Sequence, residues 1–170
     1  MVTETEKLAR DLYELRQGRL PAVVLIATPL GRRKTLTVTV AHDLVADAPR
    51  LVLRVAGWEP CDRLGGPLAV ADQTALALVL AMAAEALPGA RAKRDRPAVL
   101  AQAGRYRAVL ALADRRRWLI LADIAGVERD APLLSVPASA VGEVAEALAL
   151  AERRLAASGA VTGLPGEVAH

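Results

Sequence analysis

Between Thr35 and Val40 hydroxyl and aliphatic side chains alternate without a break, Thr-Leu-Thr-Val-Thr-Val. A helix would scatter such a period-two pattern around its circumference, whereas a strand puts every Thr on one face and every aliphatic residue on the other. The segment therefore reads as a strand with one covered face and one open face. Arg50 to Val55 alternates again, with Arg50 and Arg54 out of phase with Leu51, Leu53 and Val55. Paired across a turn that carries Asp43, Asp47 and Pro49, the two strands would present Thr and Arg on one surface and aliphatics on the other.

Around this pair the chain reads as α+β. Leu8, Leu12 and Leu15 fall at helical spacing between charged residues, and Gly18 follows, so a short N-terminal helix is expected over residues 5–17. Ala22 to Thr28 is a continuous apolar run of the kind buried on both faces. Leu68 to Val70 reads as a short strand, after which Asp72 can cap a helix reaching about Leu87, where Pro88 and Gly89 stop it. The charged run Arg91 to Pro97 is expected to be an exposed linker, and the same charges suit a phosphate backbone.

The second half repeats this order. Arg105 to Leu112 and Arg117 to Ala122 read as a hairpin turning around residues 114–116, and Leu133 to Val136 as a short strand. A helix opened by Pro137 or Ser139 should follow to about Ala157. Each half thus ends in a short apolar strand and an Ala/Leu-rich helix, a repeat of pattern that composition alone can also produce. The expected organisation is a first strands-then-helix unit within residues 1–90, the linker 91–97, a shorter second unit over 98–157 and a flexible tail from 158 to 170. The two antiparallel sheets, each followed by a helix, would form a pseudo-two-fold duplication.

Hydrophobic residues make up 54% of the 170, enough for a core, yet only 2% are aromatic and Phe is absent. The core must then be aliphatic. Cys61 stands alone, which excludes an internal disulfide, and the chain opens on no signal-peptide pattern, so a cytoplasmic location is expected. The longest apolar run, Ala75 to Ala84, is half a membrane span, and no membrane association is expected.

The residues offer little for catalysis. His42 and Cys61 could be drawn as a dyad, but no surrounding motif places them together, and Cys61 reads better as a packing residue. Phosphate-loop, dinucleotide and zinc-protease motifs are missing, and one Cys with two His cannot build an ordinary zinc site. Ser135, Ser139 and Ser158 are the only serines, none in a nucleophile-elbow setting. A non-enzymatic protein without metal or cofactor is the expectation.

A formal charge of +3, carried mainly by arginine, allows attraction to phosphates. The stretches RRKTLTVTVA from Arg32, RLVLRVAGWEP from Arg50 and GGPLAVADQ from Gly65 follow one another as basic turn, strand, strand, Gly-rich return, short strand and helix. This order resembles the four-strands-then-helix unit of the transcriptional positive-coactivator and PUR group of single-stranded nucleic-acid-binding proteins, related to the whirly fold. The resemblance implies that a curved sheet face binds unpaired DNA or RNA through basic and aromatic side chains. Its matching positions are Arg32, Arg33 and Lys34 at the turn, Arg50 and Arg54 on the strand and Trp58 at its end. The second half would contribute Arg105, Tyr106, Arg107, Arg116, Arg117 and Trp118, with Tyr106 or Trp118 stacking on bases. The rival expectation is a protein-interaction or self-assembly module, a homodimer or a partner complex, joined through the Ala/Leu-rich helices.

Overall fold

The computed structural model describes residues 1–30, 34–43, 47–56, 68–70, 72–125 and 132–162. The chain is α+β: two antiparallel sheets, each followed by a helix, with a third helix at the start. Helix α1 (Glu4–Arg16) opens on a capping box, in which the Thr3 hydroxyl accepts from the Glu6 N–H while the Glu6 carboxylate accepts from the Thr3 N–H. The first sheet is a meander of β1 (Ala22–Pro29), β2 (Thr35–Asp43), β3 (Ala48–Ala56) and the two-residue β4 (Leu68–Ala69). Helix α2 (Gln73–Ala86) follows, capped by Asp72, whose carboxylate accepts from the Ala75 N–H at 3.0 Å.

The second sheet repeats the meander with β5 (Ala98–Ala103), β6 (Tyr106–Ala113), β7 (Arg116–Asp123) and β8 (Pro132–Pro137). One turn of 3-10 helix, Ala138–Ala140, then runs directly into α3 (Val141–Thr162). Both sheets carry a register shift in their first strand, between Val24 and Ile26 in β1 and between Val99 and Ala101 in β5. The second sheet's fourth strand has six residues where β4 has two. Strand β5 has no counterpart in the sequence reading. The expected tail is partly helix: α3 continues past Ala157 to Thr162, and Ser158 is fully buried.

The helices exchange partners. Helix α2, which follows the first sheet, packs on β5 and β6 of the second, while α3, which follows the second sheet, packs with α1 on β1 and β2 of the first. The two helices also pack on each other, so one continuous core of aliphatic side chains runs through both halves. Polar contacts fix each exchange. Leu25 lies at the β1 register shift, where a bulged residue falls out of the ladder, and its carbonyl accepts from the Arg154 guanidinium of α3 at 2.5 Å. The Tyr106 hydroxyl on the second sheet accepts from the Asp72 N–H at the start of α2.

Gly104, in the tight β5–β6 turn with φ +54, completes that junction. A Cβ there would lie 2.8 Å from the Ala75 side chain of α2, so glycine is required both by conformation and by space. Burial also corrects the reading of β1. The run from Ala22 is covered on one face only: Val23, Leu25 and Ile26 are buried, while Val24 is 59% exposed.

Candidate nucleic-acid interface

In the first sheet the register pairs Thr37 with Arg54, Thr39 with Val52 and Ala41 with Arg50. Their phase is opposite to Leu36, Val38, Val40, Leu51, Leu53 and Val55, all of which are buried beneath the helices. The face turned from the helices therefore carries Thr37, Thr39, Arg50 and Arg54, with Val24 and Val52 between them, as the alternation requires. Arg54 is exposed and Arg50 half-buried. The Thr37 hydroxyl lies 3.5 Å from the Arg54 carbonyl, which it can reach as a donor. Arg32, Arg33 and Trp58 lie outside the described residues.

The second sheet's residues divide. Tyr106 is 1% exposed and shares a face with the buried Ala108 and Leu110, so it cannot stack on a base; it is a core residue whose hydroxyl serves the α2 junction. The signal was present in the sequence, because Tyr106 is in phase with Ala108 and Leu110 and out of phase with Arg107. Arg105 is engaged with Asp123, its Nη2 2.6 Å and its Nε 3.0 Å from one carboxylate oxygen. That hydrogen bond holds its pKa above the ordinary arginine value, against a smaller opposing effect of burial.

Arg107 is on the outer face and donates to the Gln102 side chain at 3.3 Å. Trp118 lies beside Ala111 on that same face, half-buried, with its indole N–H donating to the Ala113 carbonyl. Val99, Val109 and Ile120 form one row across the same face, so the outer face of this sheet is mainly apolar. Arg116 is exposed at the β6–β7 turn, and Arg117 donates to the Leu87 carbonyl at 3.1 Å. Together with Lys34 and Arg115, these two line a groove apart from the first sheet's face, and Arg115 was missed as a site residue. A two-residue turn between the strands puts it at the tip, which is the signal that would have found it.

His42 has Asp47 as its neighbour, Nε2 to Oδ1 3.1 Å, on an exposed hairpin. Cys61, its suggested partner in a dyad, lies outside the described residues. Among the described residues no group of three or more His, Cys, Asp or Glu side chains could hold a metal ion. No described helix is long and apolar enough to cross a membrane. Compared with known proteins, the sequence matches no family model and no curated protein.

Proposed function

We propose that this chain is a non-enzymatic binder of single-stranded DNA or RNA, and that the outer face of the first sheet is its binding surface. The observation that carries the reading is the register of β2 against β3, which sets Arg50, Arg54, Thr37 and Thr39 on one open face. Arginines there would track phosphates, and the hydroxyls would donate to phosphate or sugar oxygens. The resemblance to the positive-coactivator and PUR group supports the same face, because there too helices cover one side of the sheet and the strand binds the other. A labelled oligothymidylate titrated at two salt concentrations tests it: binding should be present at low salt and weaken as salt rises, and no binding at low salt removes the proposal.

A second reading, self-association through the Ala/Leu-rich helices, is favoured by one observation. Leu78 and Met82, one helical turn apart on α2, are 52% and 40% exposed. Solution mass measured with and without the oligonucleotide separates the two readings.

A further inference from the structure

A groove of about 680 Å³ opens where Leu30 and Lys34, the β6–β7 turn and the start of the α3 helical run meet. Lys34, Arg115, Arg116 and Arg117 line it together with Ser139, and among its described lining residues none is a carboxylate. Its walls between these groups are apolar, with Leu30, Ala138 and Ala140 all buried. The first sheet contributes Lys34 and the second contributes the arginines, so the cavity exists only while the two halves are packed together. Four cationic side chains around one cavity attract an anion placed between them.

The turn that brings the arginines here is costly for its sequence. Asp114 and Arg115 form a two-residue hairpin turn and both have positive φ, 51° and 60°. Glycine or asparagine meets that requirement with least strain, yet an arginine stands at the tip. Arg117 holds the hairpin in place through the Leu87 carbonyl, at the end of α2 where a cation also complements the helix dipole. On the opposite wall the helical run through Ala138–Ala140 into α3 begins without a side-chain cap. Its first N–H groups have no acceptor within the helix, and its dipole is positive at this end.

We infer that this groove binds a phosphate group. Arg115 and Arg116 supply guanidinium forks, Lys34 a point charge, and the Ser139 hydroxyl with the N–H groups of the helical start the remaining donors. Arg117 is a positioning residue. A phosphate monoester suits the site better than a carboxylate, since it offers three acceptor oxygens and close to two charges to cations arriving from both walls. The end of a nucleic-acid strand and a small phosphorylated compound share this chemistry. The inference does not depend on the first sheet's face binding nucleic acid.

Inorganic phosphate titrated into the full-length, isotopically labelled chain should move the amide resonances of Ser139 and Ala140 to saturation. Arg115→Ala combined with Arg116→Ala should weaken that affinity by about tenfold or more. A charge control of Arg91→Ala with Arg94→Ala should leave it unchanged. Shifts that never saturate, an unaltered affinity in the first variant, or an equal loss in the charge control would overturn the site. Oligothymidylates with and without a 5′-phosphate identify the source. Tighter binding of the phosphorylated strand, by a margin that the Arg115/Arg116 variant erases, places a strand end in the groove. Equal binding of both strands, with phosphate still saturating the groove, assigns it to small phosphorylated compounds.

Discussion

The two sheets share their strand order and a bulge in the first strand, yet their outer faces differ in balance. The first shows Thr37, Thr39, Arg50 and Arg54 with Val24 and Val52 among them; the second shows Val99, Val109, Ile120 and Trp118, with Arg107 and Gln102 at one end. The inner faces are alike because each lies under a helix from the other half and must be aliphatic to stay dry. No such demand falls on the outer faces. Their difference therefore follows from what the surfaces meet, while the exchange of helices makes the two halves depend on each other.

That dependence is the first thing to break. Leu80 on α2 is fully buried, and α2 packs on the second sheet and on α3, so a charge placed there has no partner and no water. Leu80→Asp should cost more than about 4 kcal/mol and unfold both sheets in one transition. Hydrogen exchange would show amides of β2 and of β6 losing protection together. Retained protection in the first sheet alone would mean that the halves are separate cooperative units.

Gly104→Ala probes the same coupling more gently. The new Cβ would need to sit 2.8 Å from Ala75 and adopt positive φ, so α2 must move away from the second sheet. A loss of about 2 kcal/mol is expected, read as a lower denaturant midpoint at unchanged slope. A midpoint equal to the parent chain's would show that the α2 junction yields freely.

Much of the fold was legible because strand alternation is a local signal. Thr35 to Val40 and Arg50 to Val55 predicted their strands and their open face, and Asp72 predicted the start of α2. Strand β5 was not legible, since Ala98 to Ala103 contains three alanines, which favour helix, and no β-branched alternation. The exchange of helices was beyond reach for another reason: a helix's apolar stripe says that it must be covered, not by which sheet. Tyr106 was misread through its neighbours. Flanked by Arg105 and Arg107 it resembles a basic–aromatic binding stretch, and only the phase of the strand separates it from them. The groove around Arg115 depends on Lys34 from one half and Arg115 to Arg117 from the other, and no spacing in the sequence brings these together.

The difference between the outer faces makes an unequal prediction for binding. Arg50→Ala with Arg54→Ala should weaken oligothymidylate binding by about tenfold at low salt and reduce the slope of log affinity against log salt by about 1.4, two single-strand phosphate contacts. The melting temperature should hardly change, because charges on an open sheet face add little to stability. Arg107→Ala, on the second sheet's outer face, should alter binding less. An equal loss from Arg107→Ala alone would place the strand on the apolar face.

The smallest effect compares the second hairpin of each half. Among the described residues, the first has a positive φ at Asp47, 49°, and the second at Asp114 and then at Arg115, 60°. Aspartate tolerates this conformation through its short polar side chain, whereas arginine has no such compensation. Arg115→Gly should therefore stabilise the chain by about 1 kcal/mol, and Asp47→Gly by only a few tenths. If the arginine is retained for the phosphate groove, the stabilised Arg115→Gly chain should also bind phosphate more weakly, stability and binding moving in opposite directions at one residue. Thermal melts of the two variants beside the phosphate titration measure both. A destabilised Arg115→Gly chain would mean that the arginine side chain supports the turn itself.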